Sequence, residues 1–246
     1  MANKKLDELI QTHVARWLRQ TLRLVRCDPS TGLPQAVCSG FLVTRGARHV
    51  LVSAGHGLGK GAWFLETGMV VPNARESILV PLRGVWQLEE IKSGEPMGSP
   101  NIDLAWVDVD VEKLRDELKN EPRLKGLSWD LPTYVGPLDG VPSKSAGYGF
   151  AAWNRVEIHK HDDDAVLVRE HSFEFDMAYE GDELDSQHYR FKLARKHQGH
   201  RYYRGSSGAP IADGTGQYVS LVVGGDEATN IIWGLPLVRY REVMGL

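Results

Sequence analysis

Three short segments hold residue types that could do nucleophilic chemistry. Val52-Ser53-Ala54-Gly55-His56-Gly57 is an apolar run ending in small residues and a histidine. Asn101-Ile102-Asp103-Leu104-Ala105-Trp106-Val107 opens an apolar run with an aspartate. Gly205-Ser206-Ser207-Gly208-Ala209-Pro210 brackets a serine with glycines. Asp103 lies 47 residues after His56, and Ser207 lies 151 after it. Taken singly, each has a plain reading: a hydrogen-bonded structural histidine, a strand-opening aspartate, a turn. Together they supply what acyl transfer needs, which is a hydroxyl nucleophile, a base to take its proton and an acid to hold the base in the right tautomer. Acyl transfer also needs backbone N–H groups aimed at the developing oxyanion. Glycines beside a serine let the chain turn sharply enough to expose them.

The order His, Asp, Ser and the local motifs resemble the trypsin/chymotrypsin superfamily of serine proteases. Ser53-Ala54-Gly55-His56 is similar to its histidine motif, and Asp103-Leu104-Ala105 to its aspartate before an apolar strand. Gly205-Ser206-Ser207-Gly208-Ala209-Pro210 departs from its Gly-X-Ser-Gly-Gly-Pro only at Ala209. Gly147-Tyr148-Gly149 resembles the family's Gly-Trp-Gly, and Val222-Val223-Gly224-Gly225 the strand that pairs with substrate. The resemblance spans roughly residues 34 to 244. It implies a serine endopeptidase with His56, Asp103 and Ser207 as triad, the N–H groups of Gly205 and Ser207 as oxyanion hole, and no cofactor. It further implies substrate contacts at Arg201, Tyr202, Val223, Gly224 and Gly225. Arg201 falls where the family places the base of its specificity pocket, and an arginine there would favour an acidic side chain.

Two departures stand out. Ser206 occupies the place where secreted members carry an aspartate that receives a freed N-terminus. Gly57 follows His56 where they carry a cysteine, so Cys38 lacks that partner. Both departures imply a member outside the secreted, zymogen-activated branch. A protease at large in the cytoplasm needs restraint, so control by a partner or ligand is expected.

The elements that must position these residues read as all-β. Short β-rich runs separated by Gly, Pro, Asn and Asp fall into two sets, one between Ala36 and Val109 and one between Ser145 and Leu237. Many short strands with turn signals indicate barrels or sandwiches. Two sets of similar length predict two antiparallel six-stranded barrels, over residues 31–130 and 131–246, joined by the Pro/Gly-bearing stretch Asp130–Ser143. Residues 1–30 form a helical lead-in. Its stripe of Leu6, Leu9, Ile10, Val14, Trp17, Leu18 and Leu22 recurs at helical spacing over residues 5–22, with Arg16, Arg19, Arg23 and Arg26 toward the C-terminal end. That stripe either packs on the protein or docks a regulatory partner. Short helices are predicted at Val111–Lys119 and Val238–Leu246, and a loop over the acidic stretch Glu174–Asp185.

The remaining features exclude more than they assign. His159-Lys160-His161-Asp162-Asp163-Asp164 could hold a metal, but a polar hairpin is the better reading, so no metal is expected. Net charge is −3, which disfavours a nucleic-acid partner. No apolar run is long enough to span a membrane, and Asp7 and Glu8 break any leader-like apolar core near the N-terminus. With only two cysteines, Cys27 and Cys38, a cytoplasmic protein is expected. A catalytically silent peptide-binding or regulatory module remains the alternative to the endopeptidase.

Overall fold

The structure, a computed structural model, describes residues 2–59, 61–70, 77–88, 102–124, 130–161, 164–183 and 188–246. The N-terminal periodicity forms helix α1 (Ala2–Gln20), which ends before the predicted Leu22. At Thr21 the N–H closes on the Trp17 carbonyl at 2.9 Å, and the hydroxyl reaches the Ala151 carbonyl at 2.9 Å. The chain then leaves as a strand that periodicity alone does not reveal, β1 (Leu22–Cys27). Arg23 and Arg26 are therefore strand residues and not charges on a helix terminus.

β2 (Pro34–Arg45), β3 (Arg48–Ser53), β4 (Trp63–Val70), β5 (Ser77–Pro81), β6 (Trp86–Gln87) and β7 (Ala105–Asp108) complete the first β-set. They hydrogen-bond in the order β5-β4-β1-β2-β3-β7-β6, with β8 (Thr133–Tyr134) added parallel to β2. This is an eight-stranded sheet. Among the described residues its ends, β5 and β6, do not pair with each other. Helix α2 (Val111–Asn120) follows β7 and is capped by the Asp110 carboxylate, which accepts from the Lys113 N–H at 3.0 Å. The expected linker is tied down too. Tyr134 of β8 stacks on Tyr218 at 3.9 Å, and its hydroxyl accepts from the Tyr218 N–H.

The second set is β9 (Gly147–His161), β10 (Asp164–Asp182), β11 (Tyr189–Lys192), β12 (Pro210–Asp213), β13 (Tyr218–Asp226) and β14 (Ile231–Pro236). It closes into the barrel β10-β11-β14-β13-β12-β9 and ends in α3 (Leu237–Tyr240), shorter than expected. The His159–Asp164 cluster sits at the tip of the β9–β10 hairpin, where His161 pairs with Asp164. Asp162 and Asp163 lie outside the described residues. The acidic loop expected over Glu174–Asp185 is instead strand as far as Asp182. Its acids alternate with Phe173, Phe175 and Met177, a period of two that the run of charges masks. Residues 184 and 185 lie outside the described residues.

Among the described residues, three large apolar clusters hold this together, beside a small one around Met69 and Leu124. Leu24, Leu42, Leu51 and Leu65 pack within the first sheet, and Phe150, Met177, Phe191 and Ile211 fill the barrel. The third cluster joins Phe41, Val52 and Leu104 of the first half to Ala151, Tyr218 and Leu235 of the second, with Val14 and Trp17 of α1 among them. From Val14 onward the apolar face of α1 is thus buried, while the side chains of Leu6, Leu9 and Ile10 lie outside the described residues. Gly149 makes this possible, since a Cβ there would sit 2.2 Å from the Trp17 ring.

Inside the first sheet, Arg23 of β1 and Glu66 of β4 form an ion pair at 2.9 Å with side chains only 6% and 7% exposed. Breaking a buried pair from one side strands the other charge. Glu66→Ala is therefore expected to destabilise the protein by about 3–5 kcal/mol, read as a lowered urea midpoint with an unchanged slope.

Candidate active site

His56 and Asp103 lie near the ends of neighbouring strands. β3 and β7 pair antiparallel with Ser53 opposite Ala105, so the turn leaving β3 meets the residues entering β7. The Gly57 and Leu58 N–H groups fold back onto the Ala54 carbonyl, and the Gln87 amide donates to the Gly55 and Leu58 carbonyls at 3.2 and 3.1 Å. The Asp103 carboxylate then grips His56 twice. Oδ1 accepts from the His56 backbone N–H at 2.7 Å, and Oδ2 lies 2.6 Å from Nδ1. With Nδ1 carrying its proton toward the carboxylate, Nε2 presents a lone pair, and it lies 2.8 Å from Ser207 Oγ. The hydrogen bond that Nδ1 donates to Asp103 raises the His56 pKa above the ordinary imidazole value, partly against desolvation, which lowers it.

The Ser207 loop is pinned from both sides. Toward the first sheet, the Ser39 N–H donates to the Ser207 carbonyl at 2.9 Å and the Ser39 hydroxyl to the Gly205 carbonyl at 2.8 Å. The Ser53 hydroxyl donates to the Ser39 carbonyl at 2.7 Å. Toward the barrel, the buried Ser206 hydroxyl shares a 2.8 Å hydrogen bond with Ser172. Ser172 donates to Asn154 Oδ1 at 2.7 Å, and the Asn154 amide donates to the Tyr202 carbonyl. Only glycine fits at 208, where φ is +89° and a Cβ would fall 2.0 Å from the Ser39 carbonyl oxygen. Removing Ser172 leaves two buried polar groups short of a partner. Ser172→Ala is expected to cost about 1–3 kcal/mol, read by chemical denaturation.

Among the described residues, the Gly205 and Ser207 N–H groups have no intramolecular acceptor. Their neighbours do: Ser206 bonds to Tyr203, Gly208 to Val222 and Ala209 to Ser206. Two donors are thus left over on the wall of a cleft of about 1040 Å³.

That cleft lies between sheet and barrel. His56, Ser207, Gly205, Arg201, Val223, Gly224 and Gly225 all line it. Tyr202 does not, which corrects its expected place among the substrate contacts. Its ring turns to the barrel wall, where the hydroxyl accepts from the Phe173 N–H and from Arg195, both at 3.2 Å. Beneath the same loop Glu174 is fully buried, paired with Arg195 at 3.0 Å and accepting the Tyr203 hydroxyl at 2.6 Å. Sequence reasoning missed Ser39, Asn154, Ser172 and Glu174, because each acts through a partner remote in the chain and no local motif marks it. Cys38 sits under the histidine turn, with Sγ 3.3 Å from where a Cβ on Gly57 would lie. Burial pushes its thiol up to about 12, so it is no nucleophile at neutral pH. Among the described residues no His/Cys/Asp/Glu group could hold a metal, and no helix is long and apolar enough to cross a membrane.

No protein-family model matches the sequence, and no curated protein does. Solved structures do match the fold. The serine endoprotease from Yersinia pestis is 10% identical with a TM-score of 0.54, covering 94% of this chain. The chain spans only 64% of that protein's length. Human heparin binding protein is 11% identical with a TM-score of 0.57, covering 93% of this chain and 91% of its own. Neuropsin, a serine protease expressed in the limbic system of mouse brain, is 11% identical with a TM-score of 0.55, covering 91% and 92%. The chain therefore has the fold of the trypsin-like serine proteases.

Proposed function

We propose that the protein is a serine endopeptidase. The observation that carries this reading is the unbroken relay from Asp103 through His56 to Ser207, with links of 2.6 and 2.8 Å. In the proposed reaction, Ser207 Oγ attacks the scissile carbonyl carbon as its proton passes to His56 Nε2. The resulting oxyanion is received by the Gly205 and Ser207 N–H groups. His56 returns the proton to the leaving amine as the C–N bond breaks. Water then repeats the sequence on the acyl-enzyme, with His56 again as base. Asp103 holds the tautomer and stabilises the imidazolium.

The fold neighbours bear the names of a serine endoprotease, a serine protease and a heparin binding protein, so fold alone does not separate an enzyme from a binding module. The relay favours the enzyme. Two unpaired, buried cysteines support a reducing compartment such as the cytoplasm as its place of action.

The test is a fluorophosphonate probe applied to wild type and Ser207→Ala, read by intact mass. One adduct on wild type and none on the variant is the expected result. Wild type left unlabelled would turn the reading to a silent module.

A further inference from the structure

The turn that carries His56 is held by its carbonyls. The Ala54 carbonyl accepts from the Gly57 and Leu58 N–H groups at 3.1 and 3.2 Å, and the Gly59 carbonyl accepts from the Trp63 indole at 2.9 Å. Between these lie the carbonyls of Gly55, directly before His56, and of Leu58, just past it. One atom holds both: Gln87 Nε2 donates to them at 3.2 and 3.1 Å. A primary amide nitrogen carries two hydrogens, so it can serve both carbonyls at once. Among the described residues neither carbonyl has another donor.

Gln87 reaches the turn from the outer strand of the sheet. β6 pairs with β7, with Trp86 opposite Trp106 and Gln87 opposite Ala105. The Leu88 N–H then donates to the Leu104 carbonyl at 3.2 Å, next to Asp103, and the Leu88 side chain packs on the central apolar cluster. The β6 segment therefore touches both partners of the His56–Asp103 couple. Its backbone holds the chain entering β7, and one side chain holds the histidine turn. On its other flank the turn lies against Asp103. A Cβ on Gly55 would fall 3.1 Å from the Leu104 nitrogen and 3.2 Å from Asp103 Oδ1. The turn is thus set between Asp103 and Gln87.

From this arrangement we infer that Gln87 is a positioning residue: by tying the Gly55 and Leu58 carbonyls to β6, it keeps the His56 N–H and Nδ1 within hydrogen-bond reach of Asp103, and Nε2 within reach of Ser207. Its effect on rate rests on the peptidase reading above, while its effect on the His56–Asp103 couple does not. Gln87 does not line the cleft, so it acts through His56 and not on substrate. It is exposed, so little apolar burial is at stake when its amide is removed. Loss of the amide frees the turn and loosens the bond from Nδ1 to Asp103. That bond raises the His56 pKa, which should then fall toward the ordinary imidazole value. The other charged groups nearby stay as they are. These are His200, Arg201 and Arg204 on the cleft wall, and His188, which feels the charge of Asp103.

The test compares wild type with Gln87→Met, which keeps the reach of the side chain and lacks the N–H donors. Two quantities are read: the His56 titration midpoint by NMR, with the resonance assigned by its loss in His56→Ala, and the rate of fluorophosphonate labelling at a pH above both midpoints. The urea midpoint is the control. The variant is expected to show a lower His56 midpoint, labelling slower by about tenfold or more, and a urea midpoint close to that of wild type. Gln87→Lys, which offers N–H donors again, should label nearer the wild-type rate. A His56 midpoint equal to that of wild type would overturn the inference, and with a lowered urea midpoint it would make Gln87 a structural residue only. Equal labelling rates in two proteins that both label would overturn it as well. Wild type that takes no adduct, with the His56 midpoint still lowered in Gln87→Met, would remove the peptidase reading and leave Gln87 as the brace of the histidine. No adduct and no movement of the midpoint would remove both.

Discussion

On a cleaved peptide, Ser207→Ala is expected to lower kcat by roughly a million-fold, His56→Ala by a similar factor, and the double variant by no more than either alone. The reason is the geometry of the relay. Nε2 lies 2.8 Å from Oγ, so each group is useful only through the other. An alanine at 207 leaves a base with nothing to activate, and an alanine at 56 leaves a hydroxyl of ordinary, weak nucleophilicity. Residues that act as one unit show grossly non-additive losses, and that pattern is what the three variants measure. A small residual rate over water is expected from the Gly205 and Ser207 N–H groups, which the substitutions leave in place. Losses that simply add would show that Ser207 and His56 do not work as a couple.

Asp103→Asn is expected to lower kcat/KM near neutral pH by roughly ten-thousand-fold. The amide keeps the shape of the carboxylate but offers Nδ1 an N–H, which favours the wrong tautomer and removes the charge that stabilises the imidazolium. The pH profile carries the sign. In wild type the hydrogen bond donated to Asp103 raises the His56 pKa. The base form needed for attack is therefore lost as pH falls through a value above the ordinary imidazole value of about 6.5. In Asp103→Asn that cause is gone, and the acid limb should move to lower pH. The linked stability has the matching direction. What the charged pair contributes is complete below the ordinary imidazole value and fades as pH rises through the raised one. His56 is half exposed, so solvent screens that contribution, and activity is the better readout. An acid limb that stays put in the variant would show that Asp103 does not set the base.

The neutral anchoring of the Ser207 loop bears on how such a site is held ready. Ser206 is buried and bonded to Ser172, and Ser39 ties the loop to the first sheet. Short hydroxyl and amide links hold the turn, and the side-chain partner of Ser206 is the neutral Ser172. A charge there would need a counter-ion at a cost in desolvation. Glu174 and Arg195 supply a separate ion pair one layer further back, under Tyr202 and Tyr203.

The sequence by itself determined which residues could do the chemistry. The histidine, aspartate and serine each stand in a short local pattern, small residues before His56, an apolar run after Asp103 and glycines around Ser207, and local backbone needs write such patterns directly into the chain. It also determined the all-β texture, because turn residues and β-rich runs are local signals. Tertiary structure alone decided the rest. Leu22–Cys27 became a strand because β2 and β4 offer it two edges, although Leu22 continues a helical stripe. Glu174 became a buried residue because Arg195 and Tyr203 meet it inside the barrel, although its neighbours read as an acidic loop. Tyr202 turned away from the cleft to the barrel wall, and Ser39 and Ser172 reached the Ser207 loop from far along the chain. These outcomes depend on pairing energies between remote segments, which outweigh local propensity wherever both partners are buried.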